Sequence, residues 1–296
     1  MPLINMKSLL EGAVQENYAV GAFNVANMEM ILGAVRAAEE TNSPIILQIA
    51  QVRLPYSPLD IIGPMMIAAA KKATVPIAVH FDHGKDSSVI MQALKLGFTS
   101  VMIDASHLPI EENIEIVHKV KAMADEYGAS IEAEVGQIGG SEGGTEDNGM
   151  FYSNPLEVKR LYDSTKVDAI ALSIGNAHGL YKMEPKLKFD LLTETTRLVE
   201  VPLVLHGGTG ICDEDFKHSI ALGIRKINIA TANFLAVEEE ARKYCSGEKR
   251  DYFKLSSEME AGMYQNVVKH IRVFGSSGKA GSRATDEKLE MACHNA

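Results

Sequence analysis

Residues 76–97 read PIAVHFDHGKDSSVIMQALKLG, and this stretch holds both halves of a repeating unit. Its first part, 76–82, is a short apolar run of β-type residues that turns polar only near its end. Near-continuous runs of this kind belong to parallel strands buried on both faces. His83 and Gly84 follow, and the glycine permits a tight turn. Residues 87–96 then carry apolar side chains at helical spacing, with Ser87 read as the N-cap and Gly97 just past the end. The unit is a strand, a polar turn and a helix.

The same unit recurs on both sides. Apolar runs lie at 19–25, 44–49, 100–104, 130–135, 169–173, 202–206 and 226–229. Helical patterns lie at 28–40, 59–72, 111–127, 154–164, 189–199, 213–221 and 232–244, with Asn27 and Asp213 read as N-caps and Gly128 and Gly223 following helix ends. Eight strands alternating with eight helices predict an α/β fold, a (β/α)₈ TIM barrel. The rival is a doubly wound open sheet, but no GxGxxG follows the first run. A further helical stretch, 258–272, makes an extra C-terminal segment. No linker or low-complexity tract divides the chain, so residues 1–296 are expected to form one barrel domain. Residues 275–296, rich in Gly, Ser and charge, are expected to fray or to wrap a neighbouring subunit.

Composition bounds the function. Apolar residues are 46% of the 296, enough for a large core and against disorder as the main state. Lys and Arg number 29 against 39 Asp and Glu, a net charge of −10, which argues against a general nucleic-acid or membrane-surface binder. No apolar run reaches the ~18 residues needed to cross a bilayer, and MPLINMKSLL lacks the pattern of a signal peptide. Cys212, Cys245 and Cys293 are far apart and form no CxxC, so free thiols in a reduced, cytoplasmic setting are expected.

A barrel places its chemistry at the C-terminal ends of the strands and in the loops that follow. His83 ends the third strand, His178 follows the sixth and His206 ends the seventh, each beside a glycine. Three imidazoles with an open fourth position make a catalytic zinc arrangement. The plainer alternative is three satisfied polar groups at strand ends. Asp104 ends the fourth strand, and Glu132 and Glu134 share one face of the fifth; an inward carboxylate can bind metal or orient a ligating histidine. Asp82, beside His83, can shuttle a proton. Asp82 and His83 should point differently, because side chains alternate along a strand.

Glycine-rich turns fill the same rim. Gly207, Gly208, Thr209 and Gly210 follow the seventh strand; Asn228, Ile229, Ala230 and Thr231 end the eighth and open a helix. These loops are the usual barrel phosphate site, where backbone N–H groups hold an anion without basic side chains. Residues 136–153, with Glu142, Glu146 and Asp147, read either as a lid that brings an acid over the site or as a solvated loop. His80 and His107 lie near the rim as supporting groups; His118, His218, His270 and His294 read as surface or helix residues.

With GAFNV, FDHG, SVMIDAS, IEAEVGQIGG, GNAHG, VPLVLHGGTGI, KINIAT and IRVFGSSGKA in place, nearly the whole chain resembles the class II, zinc-dependent ketose-bisphosphate aldolases. Ala230 resembles the tagatose-bisphosphate branch more than the fructose-bisphosphate one. The resemblance implies retro-aldol cleavage of a sugar phosphate into dihydroxyacetone phosphate and an aldehyde. It implies a catalytic zinc on His83, His178 and His206, with Asp104 and Glu134 at the position of a second or alternative divalent metal. Asp82 would exchange the proton of the aldehyde-derived hydroxyl, and Glu142 the proton on the dihydroxyacetone-phosphate carbon. Gly179, Gly207, Gly208, Thr209 and 228–231 would form the dihydroxyacetone-phosphate pocket, which commonly holds a monovalent cation such as Na⁺. A homodimer or homotetramer is implied.

The pattern departs at the far end of the substrate. The loop after strand two reads AQVRL, and residues 256–260 carry no basic side chain, so Arg53 is the candidate for a far-end anion. That leaves a phosphate, carboxylate, sulfonate or neutral far end open. Other readings open at this stage are an isomerase, epimerase or hydrolase on the same metal site, and a non-catalytic subunit or chaperone of a partner enzyme.

Overall fold

The computed structural model describes residues 2–140, 151–181, 183, 185–248 and 250–281. Eight parallel strands close into a barrel. They are β1 (Val20–Asn24), β2 (Ile45–Ala50), β3 (Ile77–Gly84), β4 (Ser100–Ile103), β5 (Ser130–Val135), β6 (Ala169–Leu172), β7 (Leu203–Leu205) and β8 (Ile224–Ile229). Each pairs with its neighbours in sequence, and β8 closes on β1. Helices α2 (Met28–Glu40), α3 (Leu59–Lys72), α4 (Ser87–Leu96), α5 (Ile110–Glu126), α6 (Pro155–Thr165), α7 (Phe189–Leu198), α8 (Asp213–Ala221) and α9 (Thr231–Ser246) follow the strands in turn, and α10 (Tyr252–Val273) is added after them. This is the barrel read from the sequence.

Alternation within the strands sorts side chains into two cores. Ile45, Leu47 and Ile49 of β2 join the large core under the helices, while Ile46 joins an axial cluster with Ala22, Ala78, Ala169, Ala171 and Val204. Further along the axis the inward positions turn polar: Gln48, His80, Ser100, Glu132 and Lys226 are all fully buried. The barrel is therefore apolar at its N-terminal end and charged beneath its C-terminal rim.

One helix was not expected. α1 (Met6–Glu16) places Met6, Leu9, Leu10 and Ala13 against the axial cluster and closes the N-terminal end. Asn5 caps it by accepting the Ser8 N–H at 3.0 Å. Asn27 caps α2 as expected, but Asp86 rather than Ser87 caps α4, accepting the Ser88 N–H at 2.8 Å. An ionised acceptor suits the positive end of the helix dipole better than a hydroxyl. Asp213 likewise lies inside α8, with Cys212 at the cap position. α10 begins before residue 258 and lies close against α2, where a Cβ on Gly33 would meet the Glu260 carbonyl at 2.6 Å. Cys212 and Cys245 are exposed free thiols; Cys293 lies outside the described residues. Among the described residues no helix is long and apolar enough to cross a membrane.

His270 of α10 is buried among the rings of Phe23, Phe216 and Phe274. Burial lowers its pKa to about 4, although its ring bonds to the Asn266 carbonyl at 2.8 Å. Between the unfolded value near 6.5 and about 4, the folded chain binds fewer protons at this site than the unfolded chain does. Stability therefore falls as pH falls through that window. The full contribution is on the order of 3 kcal/mol. Denaturant titrations from pH 7 to pH 4 should show a steeper loss in the parent than in His270→Leu; equal slopes would remove His270 from the account.

Candidate functional site

β3 carries two consecutive functional side chains to one place. Phe81 pairs with Val101 but Gly84 with Ile103, so β3 holds one residue more than β4 over this span. His83 takes up the extra residue at φ 45, in the left-handed region that β-strand residues avoid. The bulge cancels the alternation expected of a regular strand, and Asp82 and His83 line the same cavity. Both reach the cavity yet engage different partners, Asp82 the amides of Asn24, Gln48 and Asn228 and His83 the Asp104 carboxylate, on a strained backbone of the kind that recurs beside functional sites.

His83, His178 and His206 come together there. One nitrogen from each lies within 4.8 Å of the others, and His83 stands edge-on to both partners, with ring centroids 4.8 and 4.6 Å away. His83 Nδ1 lies 3.0 Å from Asp104 Oδ2, and His206 Nε2 lies 2.8 Å from Glu132 Oε1. Carboxylates on the outer nitrogens fix ring orientation, as they do for metal-bound histidines. Burial lowers the His206 pKa far below its ordinary value, which keeps the ring neutral, the form that binds metal. Burial opposes ionisation of Asp104, but the His83 ring and Ser106 outweigh it and hold the carboxyl well below the usual range. Burial and the Asp104 charge push Glu134 well above it.

Two atoms test whether a metal fits. His206 Nδ1 and Glu134 Oε2 are buried, lie 3.6 Å apart and have no hydrogen-bond partner among the described residues. A buried polar atom without a partner is costly, and a cation would satisfy both. A second group, His83, Asp104 and Glu134, also has its ligand atoms within 4.8 Å. The donor set of three imidazoles and two carboxylates suits a divalent ion.

Asp82 sits in a cage of amides. Asn24 Nδ2 and Gln48 Nε2 each donate to Oδ2 at 3.2 Å, and Asn228 Nδ2 donates to Oδ1 at 3.1 Å. Gln48 also donates to Asn24 Oδ1 at 2.7 Å. Three donors hold the carboxylate in one orientation at the pocket wall. Asn24 and Gln48 were not singled out in the sequence; their signal was an amide inside an otherwise apolar strand.

The neighbouring loops are clipped together. Asn176, fully buried, donates to the Leu172 and His206 carbonyls. The Tyr181 hydroxyl accepts the Ala177 N–H and donates to the Gly207 carbonyl, both at 2.9 Å, and burial raises its pKa to about 12. Gly207 has φ 62, and a Cβ there would meet the Ala177 carbonyl at 2.1 Å, so glycine is required at this crossing.

The cavity has about 380 Å³ of empty space, part of it open to solvent, and is lined by Asn24, Arg53, Asp82, His83, His178, Gly179, Gly207, Thr209, Asn228, Ala230 and Thr231. No acid stands in the first turn of α9, and Ala230 and Thr231 at its start line the cavity, so the positive end of the helix dipole lies there. Thr209 Oγ1 accepts the Ala232 N–H at 3.0 Å. Two expected pocket residues stand behind the wall. Ile229 alternates outward into the helix-facing core, and the Gly208 N–H is used by the Asn228 carbonyl. Arg53 lies in a short helical turn after β2, half-buried, with its guanidinium 5.0 Å from the Phe234 ring centre. Glu142, with Glu146 and Asp147, lies outside the described residues. Lys226 does not line the cavity; it is fully buried with its Nζ 2.8 Å from Glu132 Oε2.

A parallel barrel whose rim gathers three histidines and a caged carboxylate has the layout of a metal-dependent barrel enzyme. Comparison with known proteins narrows this. The family model for class-II fructose-bisphosphate aldolase matches residues 4–279, and the chain belongs to that family. It is 39% identical over 285 residues to a "Probable fructose-bisphosphate aldolase" of Bacillus subtilis, covering 95% of this chain and all of the relative. It is 38% identical, with the same coverage, to a fructose-bisphosphate aldolase of Staphylococcus epidermidis. The crystal structure of the YdjI aldolase from Escherichia coli K12 superposes with a TM-score of 0.85 at 32% identity, over 94% of this chain and 99% of the other.

Proposed function

We propose that this chain is a zinc-dependent aldolase. It reversibly cleaves a phosphorylated ketose, of the tagatose- or fructose-bisphosphate type, into dihydroxyacetone phosphate and an aldehyde. The observation that carries the reading is the meeting of His83, His178 and His206 with Asp82 in one cavity beside the α9 N-terminus. His83, His178 and His206 would hold the zinc, and Asp104 with Glu134 a second divalent ion. A zinc ion held by these residues would supply Lewis-acid stabilisation of the negative charge that develops on the substrate oxygens as the C–C bond breaks. Asp82 takes the proton from the hydroxyl that becomes the aldehyde, and returns it in the synthetic direction. The amides of Asn24, Gln48 and Asn228 keep that carboxylate aimed while it exchanges the proton. Thr231 and Ala230 bring the α9 N–H groups to the phosphate, and Gly179, Gly207 and Thr209 complete its pocket with room for a monovalent cation such as Na⁺. Gly208 and Ile229 support the wall, and Glu142 serves the proton on the dihydroxyacetone-phosphate carbon.

The same reading makes the protein a single-domain, cytoplasmic homodimer or homotetramer. The exposed Tyr252 and Phe253, at 73% and 80%, offer apolar surface to a second copy.

Arg53 points to an anionic far end. Guanidinium grips phosphate, carboxylate or sulfonate oxygens in a bidentate way, and the Phe234 ring supports it from behind. Losing one such contact costs about 1.5–3 kcal/mol, roughly tenfold to a hundredfold in kcat/KM. The experiment is condensation of dihydroxyacetone phosphate with a set of aldehydes ending in phosphate, carboxylate, sulfonate or nothing. Carbon–carbon bond formation is expected, and none with any acceptor would refute the aldolase reading. Arg53→Ala should lose that factor on anionic acceptors only. Equal losses on anionic and neutral acceptors would make Arg53 a support of the fold instead.

A further inference from the structure

Lys226 of β8 and Glu132 of β5 form a charged pair across the axis of the barrel. Both are fully buried, and Nζ lies 2.8 Å from Oε2, short but off hydrogen-bond geometry. Burying an ion pair costs desolvation, and apolar residues of similar size often replace one without loss. The N-terminal end of this same axis is filled that way, by Ala22, Ile46, Ala78 and Val204. The pair therefore calls for a reason beyond packing.

The geometry supplies one. Glu132 uses its two oxygens for different partners. Oε2 faces Lys226, with the His80 ring at 3.8 Å behind it, and Oε1 lies 2.8 Å from His206 Nε2. His80 is itself held, with Nδ1 2.7 Å from Ser100 Oγ. At the other edge of the His206 ring, Nδ1 has no hydrogen-bond partner among the described residues and faces Glu134 Oε2 at 3.6 Å.

We propose that Glu132 and Lys226 are positioning residues of the metal centre. Glu132 accepts the His206 Nε2–H, which selects the tautomer that leaves the Nδ1 lone pair for the metal. Lys226 holds the other oxygen, so the carboxylate cannot swing away from His206 or into the metal site. The inference rests on the metal reading above and adds to it a cross-barrel strut, β8 to β5 to His206, that aims one ligand. It also gives the buried lysine a use other than covalent chemistry with substrate.

The test is zinc affinity, read by competition with a chromophoric chelator, on the parent, Lys226→Met, Glu132→Gln and the double variant. Each single change should raise the zinc Kd by about 10- to 100-fold, the usual effect of losing a partner of a ligating histidine. In Glu132→Gln the new amide confronts the Lys226 ammonium, donor to donor. The double variant removes that conflict while keeping an acceptor for His206, so its Kd should fall below that of either single variant and remain about tenfold above the parent. In cobalt-substituted protein the visible absorption bands should move in both single variants. Unfolding midpoints of the metal-free proteins, taken in parallel, report packing alone. If a single variant does not fold, the double variant, which leaves no unpaired charge, carries the test. Kd values within twofold of the parent, with unmoved cobalt bands, would overturn the strut even where midpoints drop. A parent that binds no zinc would instead overturn the metal reading itself.

Discussion

His206→Ala should lose bound zinc and turnover together. The site brings one nitrogen from each of three histidines within 4.8 Å of the others, and zinc in such a site needs three protein ligands before it can offer an open position. His206 is fully buried, with Glu132 on its Nε2. Metal-borne charge stabilisation is worth several kcal/mol in the transition state, so activity should fall by roughly 10³-fold or more. Removing the ring also strips Glu132 of a partner, so folding must be followed by circular dichroism alongside metal content. A folded variant that keeps full activity without metal would sink the zinc assignment.

Asp82→Ala should behave differently. Zinc should stay, because the three imidazoles are intact, while kcat drops by about 10²–10⁴-fold, the usual contribution of a positioned proton-transfer group. Alanine is a better probe here than asparagine. An amide placed among the donors of Asn24, Gln48 and Asn228 would set hydrogen-bond donors against each other, mixing a structural loss into the kinetic one. If zinc departs from Asp82→Ala in proportion to activity, Asp82 is a support of the metal site and not the proton carrier.

The barrel was legible because each strand is a short apolar run closed by polar or glycine residues, a pattern set by burial on both faces. Helix α1 is as strongly patterned, with Met6, Leu9, Leu10 and Ala13 at helical spacing, but it lies outside the alternation of strands and helices that marks the barrel. The three histidines could be grouped because the fold fixes which end of each strand meets the rim. What stayed hidden was non-local or conformational. The bulge in β3 at Asp82 and His83, which both line the cavity, depends on pairing with β4 and a positive φ at His83, neither of which leaves a mark in FDHG. The pairing of Lys226 with Glu132 joins strands on opposite sides of the axis, 94 positions apart in the chain, and reads in sequence only as two charges inside apolar runs. A contiguous stretch does not line the pocket throughout, because alternation turns Ile229 outward between Asn228 and Ala230.

The central claim is that one metal ion, held by His83, His178 and His206, makes this barrel an aldolase. The most direct measurement strips the protein with a chelator, then returns zinc in small steps while dihydroxyacetone phosphate release from a ketose bisphosphate is followed with a coupled enzyme. Activity should be absent at the start and rise linearly to a plateau at about one zinc per chain. Full activity in the stripped protein, unchanged by added zinc, would contradict the account.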